Sequence, residues 1–533
     1  MPGITIYPSS LGELDFNSIH SFFKHYNLNV CEASKYKIVQ FSPEAYPVLK
    51  WQSEGFLFLV EGDLAVEIEV LKVKLQQIAF DYFIQKNQEA LLTFVENTVG
   101  EFLVYIINLN NGELLIFNDY LGRLPLYYTT EREKLIISRE YGWLIDQARL
   151  KASALDTAMF LMLGFTIGEH TMFNSCKKLL AGSVLHANTS GVLSVNRIVM
   201  HRFDRYNYNI KSVETAANQL VKLFLETLKV KISTTTQTLS ISGGLDSRAI
   251  LAGFNRLGQK IKCSCYEISN EPHQADVQVS LKLAERFSVP IDIHRFVPAS
   301  KDDEACLLAM KKAQNCLDMC FLIPFFKKIP AQYEAFWTGD GGDKVLPDLR
   351  PLRSIFSMND LVNYIYSKHH ILNYKEIESK TGVTKQTLKS YIKKQLLQYP
   401  ETSLQEKYIH FIMMERAANW LFEGEDRNRY FVKSITPYYS LELYKYAMSI
   451  PNHLKKDFEL FTAFLDTLDA RLNTISNANW GITLHQTKKL RWIYFKQKIK
   501  SYLSIFITFE NVSDINKQDY LETFDRATVN FYK

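Results

Sequence analysis

Thr238-Leu239-Ser240-Ile241-Ser242-Gly243-Gly244-Leu245-Asp246-Ser247 is the stretch on which the reading of this chain turns. Its first four residues read as a short strand. Beyond Asp246, the spacing of Ile250, Leu251, Phe254 and Leu257 makes one apolar helix face, and Gly258 is placed to end that helix. Two glycines let the backbone fold tightly against a ligand, and the free N–H groups at the helix start form an anion site. Ser242 and Ser247 add hydroxyl donors. Asp246 would repel a phosphate unless a cation bridges the two, which points to Mg²⁺. The loop is not a Walker A sequence, because Arg248 follows where Gly-Lys-Ser/Thr would stand, and Gly-x-Gly-x-x-Gly is absent.

The surrounding rhythm supports this. A helix over 213–228 precedes the strand. After the loop come a strand near 262–266, a helix over 275–287, a strand over 291–294, one long helix over about 304–326, and a strand at Ala335-Phe336-Trp337. Alternation of this kind means a parallel sheet covered on both faces, with ligands at the carboxyl ends of the strands. A second Gly/Asp-rich turn, Thr338-Gly339-Asp340-Gly341-Gly342-Asp343, falls at such an end. Asp343 is placed to complete a Mg²⁺ site with Asp246. Residues 352–450 read as mostly helical.

The first 200 or so residues are different. Phe56–Val60, Phe102–Ile107 and Leu114–Phe117 are candidate strands, the last two joined through Asn111-Gly112, a hairpin signal. The chain has 533 residues, 47% hydrophobic and 22% charged, which suggests several globular domains. A net charge of +5 does not argue for a nucleic-acid partner. Seven cysteines without zinc-finger spacing read as buried thiols, Cys316 and Cys320 lying one helical turn apart. With no secretory signal and no run long enough to span a membrane, the cytoplasm is the expected location. The tail from Gln486 is basic and aromatic; a packed or solvated helix is the commoner reading of such a segment, a membrane-surface or partner helix the sharper one.

These segments together resemble the asparagine synthetase family. Ser242–Ser247 matches its pyrophosphate loop, and Thr338–Asp343 resembles its second nucleotide motif. Asp426-Arg427 through Ile435-Thr436-Pro437-Tyr438-Tyr439 is similar to a third. Asn118-Asp119-Tyr120-Leu121-Gly122-Arg123-Leu124-Pro125-Leu126-Tyr127-Tyr128 looks like the family's N-terminal Arg-Asp-x-x-Gly-x-x-Pro-Leu-Tyr-Tyr. The resemblance implies a mixed α/β and α+β chain of two domains. An Ntn-hydrolase-like antiparallel sandwich would span residues 1–205, and a parallel-sheet pyrophosphate-loop ATPase, adenine nucleotide alpha hydrolase-like, residues 206–485, with a basic helical tail over 486–533. The family's N-terminal cysteine nucleophile is replaced by Pro2, Glu61-Gly62-Asp63 stands near its Asn-Gly-Glu, and Val99 precedes Gly100 where an Asp is expected. Loss of glutaminase activity follows as an expectation.

The resemblance also implies roles. ATP would be held by Leu239, Ser240, Ser242, Gly243, Gly244, Leu245, Asp246, Ser247, Tyr266, Thr338 and Gly339, with Mg²⁺ on Asp246 and Asp343. Asp340 would orient or deprotonate an amine, and Lys456 would stabilise the adenylate transition state. Lys344 replaces the second motif's last acid. The expected reaction is adenylation of a small-molecule or peptide carboxylate, then transfer to ammonia or an amine, as also in the related β-lactam synthetases and lasso-peptide cyclases. A nucleotide-binding scaffold without turnover is the rival, and a homodimer is an open expectation.

Overall fold

The computed structural model describes residues 2–503, apart from 132–134, 234–235, 268–270, 296, 313, 315–316 and 329–334. The N-terminal strands are β1 (Gly3–Pro8), β2 (Asn27–Ala33), β3 (Tyr36–Ser42), β4 (Val48–Ser53), β5 (Phe56–Leu64), β6 (Gly100–Asn108), β7 (Leu114–Asn118), β8 (Tyr127–Thr129), β9 (Ile136–Ser138), β10 (Cys176–Lys178), β11 (Ser183–Ala187) and β12 (Leu193–Arg197). They form two six-stranded sheets, β10-β8-β9-β1-β3-β2 and β12-β11-β7-β6-β5-β4, with every pair antiparallel. Leu57, Leu59, Leu103, Tyr105 and Ile107 face Ile4, Ile6 and Ile38 across the sandwich. The alternate residues Phe58, Val60, Val104 and Ile106 pack outward against Leu71, Leu75 and Ile78 of the helix Ile68–Phe80 and Phe94 of Glu89–Asn97. Both faces of this sheet are dry, so β5 and β6 read as unbroken apolar runs although they are antiparallel. The Asn-Gly hairpin forms as expected: Gly112 N–H donates to Asn108 O at 2.8 Å.

The C-terminal half is built on β13 (Gln237–Ser240), β14 (Lys262–Glu267), β15 (Ile291–Arg295), β16 (Ala335–Trp337) and β17 (Lys433–Ile435), in the order β15-β14-β13-β16-β17, all parallel. From β13 the chain steps outward to β14 and β15, then crosses back to place β16 on the other side of β13. The crevice between β13 and β16 is thus the switch point of the sheet, and both Gly/Asp turns lie at its carboxyl edge.

One sequence expectation changes. The long helix over 304–326 is broken: a helix Lys301–Lys311 ends at Lys312, whose φ of +46° leaves the helical region, and shorter turns follow at Leu317–Phe321 and Leu322–Phe326. Pro324 lies inside the expected span and has no N–H to continue a helix, so it falls in the first turn of a new one, while Lys311 at the end of the first is tied by its ammonium to Glu423 and Asp426 at 2.8 Å each. Cys316 of the expected cysteine pair lies outside the described residues. Of the basic tail, Thr487–Leu503 is a helix, and residues 504–533 lie outside the described residues.

A buried charge network joins the two halves. Asp426 accepts from Arg139 at 2.6 Å and from Lys311, and Arg139 also holds Glu61 at 2.7 Å. Glu423 bonds Lys178 and Lys311 and takes the Tyr127 hydroxyl. Arg123 bridges Glu101 and Glu425, and Arg429 adds a second hold on both. Burial would raise the Glu101 pKa, but Arg429 and Arg123 together bring it down to about 2. Desolvating these ions is costly, and removing one partner strands another.

Arg139→Met leaves Glu61 and Asp426 without their shared cation. The expected loss is about 3–5 kcal/mol, read as a fall in thermal midpoint, with Arg139→Met/Glu61→Gln recovering part of it. Because Glu101 is held below its unfolded pKa, its contribution is present above about pH 4.5 and is lost as pH falls towards 2. An acid titration followed by near-ultraviolet circular dichroism should show tertiary structure failing in that window.

Candidate functional site

The first turn is braced by its own side chains. Ser247 Oγ accepts from Ser242 N at 3.0 Å, and Gly244 N–H donates to Ser242 Oγ at 3.3 Å. Gly243 N–H donates to the Asp276 carboxylate at 2.7 Å, so the loop already holds an oxyanion of the chain itself. Arg248, to which the sequence reading gave no role, is buried. Its guanidinium donates to the carbonyls of Gly244, Gly243, Leu472, Ile475 and Ser476. Burial lowers its pKa to about 10, which leaves it a cation at neutral pH. It shapes the loop from behind by taking the carbonyls, which leaves the N–H side to the front.

The second turn interlocks with the first. A Cβ on Gly339 would lie 2.7 Å from Ser247 N, and one on Gly342 2.6 Å from Asp246 Cγ. Only glycine allows this approach. Asp343 N–H donates to Asp246 Oδ2 at 3.1 Å, and Tyr438 Oη donates to Asp246 O at 2.8 Å. Thr338 Oγ1 reaches Asp340 Oδ2 and Thr436 Oγ1 at 3.3 Å each. Burial and the neighbouring Asp343 raise the Asp246 pKa well above the ordinary range, and the same two causes raise that of Asp340. The ammonium of Lys344 pairs with Asp343.

The structure therefore brings Ser242, Gly243, Gly244, Asp246, Ser247, Thr338, Gly339, Asp340 and Asp343 together. Crowded carboxylates with raised pKa values are suited to a divalent cation. Among the described residues, however, no group of three or more His, Cys, Asp or Glu is placed to hold one, so Asp246 and Asp343 would need ligands from a bound phosphate.

Other expected residues sit differently. Leu239 is fully buried in the core, and Leu245 is buried too. Ser240 is partly buried at the end of β13. Tyr266 is next to the last residue of β14, edge-on to Phe321 and Phe325, and burial raises its pKa to about 12. Lys456 is exposed; the buried lysine of its segment is Lys455, whose Nζ lies 3.5 Å from Val345 O, directly behind the second turn. Burial lowers the Lys455 pKa to about 8. The sequence reading chose Lys456 of this pair and gave Lys455 no role.

A cavity of about 90 Å³ opens beside the turns, where Asp340 meets Trp420, Gly424, Arg427 and Asn428. Much larger cavities lie elsewhere. One of about 770 Å³, lined by Gln237, Lys262 and Pro290, is at the amino edge of the parallel sheet, away from both turns.

At the other candidate centre, Pro2 is buried and the space beside it is filled. Glu61 accepts from Ile4 N at 3.3 Å, Tyr46 Oη at 2.6 Å, Tyr105 Oη at 3.3 Å and Arg139 Nε at 2.7 Å. A Cβ on Gly3 would meet Glu61 Oε1 at 2.5 Å and Arg139 Cγ at 2.7 Å. The Glu61–Arg139 pair thus lies directly against the start of β1.

Residues 84–197 match the glutamine amidotransferase domain family, so the N-terminal half carries a domain of that type. No curated protein matches the chain. Among solved structures it is similar to a glutamine phosphoribosylpyrophosphate amidotransferase from B. subtilis complexed with ADP and GMP, at 11% identity, covering 70% of this chain and 81% of that one, with a TM-score of 0.21. A second, the allosteric regulatory enzyme of purine biosynthesis, is 10% identical, covering 72% and 82%, with a TM-score of 0.22. Scores this low carry no weight of their own; the fold described above rests on the strand pairing.

Asp246 provides a test by pH. Its folded pKa is raised, so its ionisation opposes folding: nothing is lost below its unfolded value of about 3.9, and stability falls as pH rises through the raised value. Asp246→Asn should raise the thermal midpoint at pH 8 and leave it unchanged near pH 3.5; scanning fluorimetry that shows no gain at pH 8 counts against this electrostatic picture.

Proposed function

We propose that the chain is an ATP-dependent ligase of the asparagine synthetase type that adenylates a carboxylate and passes the acyl group to ammonia or an amine, without hydrolysing glutamine. The observation that carries this reading is the interlock of Ser242–Ser247 and Thr338–Asp343 at the carboxyl ends of adjacent parallel strands, with their acids facing one crevice. The phosphates of ATP would take the N–H groups of the first turn in place of the Asp276 carboxylate. Mg²⁺, held by Asp246 and Asp343 together with phosphate oxygens, would supply charge neutralisation of the leaving pyrophosphate.

In this reading the reaction has two steps. A carboxylate oxygen of the substrate attacks the α-phosphorus, and the bond to the bridging oxygen breaks with its electron pair leaving on pyrophosphate. An amine nitrogen then attacks the acyl carbon and AMP departs. The nitrogen's proton passes to a base, for which Asp340, at the wall of the cavity and with a raised pKa, is placed. Lys455, in place of Lys456, becomes the candidate for steadying negative charge from behind the second turn. Loss of the glutaminase step is supported by Pro2 and by the Glu61–Arg139 pair in its pocket, so nitrogen would come from solution or from the substrate. The cytoplasm remains the expected setting; no helix among the described residues is long and apolar enough to cross a membrane.

One feature favours the scaffold reading. Lys344 occupies Asp343, a cation of the chain where the metal would sit. ATP binding without AMP formation, for any carboxylate offered, would establish that reading.

Carboxylate-dependent ATP–pyrophosphate exchange is the direct measurement, with aspartate and small peptides in the panel. Exchange is expected for at least one, and Gly342→Ala should reduce it on the order of a hundredfold by displacing the Asp246 carboxylate. Glutamine should give no glutamate at any concentration. No exchange across the panel, or glutamate release, overturns the assignment.

A further inference from the structure

The C-terminal helix Thr487–Leu503 has two apolar faces. Its inner face docks on the protein: Leu490 and Ser501, three turns apart, are buried, and Tyr494 lies against Phe458 at 5.5 Å between ring centroids. The opposite face points to solvent. Trp492, Phe495, Ile499 and Tyr502, spaced three, four and three residues apart, fall on one stripe. They are 57%, 51%, 45% and 41% exposed, too much for large side chains on a helix whose docking is already satisfied by the other face. Trp492 and Phe495 stack at 5.6 Å, which makes a continuous aromatic plate.

Cations border the stripe on both sides. Lys489, Lys496 and Lys500 run along one flank, Arg491 and Lys498 along the other, and Lys488 stands at its beginning. The helix contains no Asp or Glu. Lys496 covers the Trp492 ring at 5.4 Å, and Arg491 reaches Asp457 and Glu459 at 3.5 and 3.4 Å. Lys500 also faces Lys368 on a neighbouring helix, so the basic field extends beyond the segment.

We propose that this face docks on an anionic lipid surface, with the helix lying in the interface plane. A partner helix would call for aliphatic residues along the stripe and charges of both signs at its borders. Here Trp and Tyr, which have an apolar body and a polar tip, occupy the stripe, and both borders are cationic, the pattern of helices that lie in a headgroup layer. The helix is about 25 Å long, and it does not cross the bilayer. The docked inner face holds the protein against the outer one, so the whole chain would sit at the membrane. This surface is separate from the crevice at the two turns and does not depend on the proposed ligase activity.

The test is cosedimentation of the full-length protein with vesicles of phosphatidylcholine alone or with one third phosphatidylglycerol. Partition into the anionic vesicles is expected to exceed that into neutral ones by roughly tenfold or more at 0.1 M NaCl, and to be lost at 0.5 M. Trp492→Ala/Phe495→Ala and Lys489→Glu/Lys496→Glu should each remove it while circular dichroism and thermal midpoint stay unchanged. A blue shift of emission on anionic vesicles should disappear in Trp492→Phe. Equal partition into both vesicles overturns the proposal. So does partition that survives the charge reversal, or a stripe that mediates only self-association, lost in the Trp492→Ala variant.

Discussion

The ion network around Asp426 sets the terms for the rest of the molecule. The helix Phe422–Asn428 sends Glu423, Glu425 and Asp426 into the joint between the halves, where Arg139, Arg123, Lys178 and Lys311 meet them. The same helix lends Gly424, Arg427 and Asn428 to the cavity beside Asp340. A few residues on, β17 pairs with β16, and Ile435 O receives the Thr338 N–H that opens the second turn. Displacing the joint therefore displaces one wall of the crevice. The desolvation cost of so many buried ions is tolerated only if every one keeps its partner, which makes the arrangement demanding in geometry as well as in charge.

This joint also accounts for the fate of the N-terminal half. Glu61 and Arg139 belong at once to the network and to the pocket at the start of β1. In the proposed reading, a domain of amidotransferase type has exchanged its substrate pocket for a structural ion pair, and its remaining part is to hold the synthetase half. Pro2, standing where the resemblance implies a cysteine, and the Glu61–Arg139 pair beside it support that reading separately.

Much of the architecture was legible in advance because it depends on local chemistry. The alternation of strand and helix from 213 onward, the Asn-Gly hairpin and the turn after β13 all appear where short-range signals put them. The long helix failed because apolar periodicity carried the reading across Pro324, which fits only the first turn of a helix. β17 was read only as part of a motif, since three residues between helices carry no period of their own. At the site, the glycines and acids of both turns were visible as residue types in order. Arg248 was not, because a buried arginine that binds only carbonyls looks in sequence like any helix-surface cation. Lys456 was chosen over Lys455 although the structure exposes the first and buries the second, because adjacent lysines differ only in which way the backbone turns.

What the sequence by itself determined is the order of chemistry: a strand, a Gly-Gly turn flanked by serines, an acid at a helix start, and a second Gly/Asp turn far along the chain. These follow from backbone freedom and side-chain type, which are local. The tertiary structure alone decided that β16 lies beside β13, so that Gly339 and Gly342 press against Asp246 and Ser247. It also decided that Glu61 meets Arg139 beside Pro2 and that Tyr494 of the helix Thr487–Leu503 packs on Phe458. Each of these is a contact between residues tens to hundreds of positions apart, and its energy depends on burial and distance, which a linear order of residues does not contain.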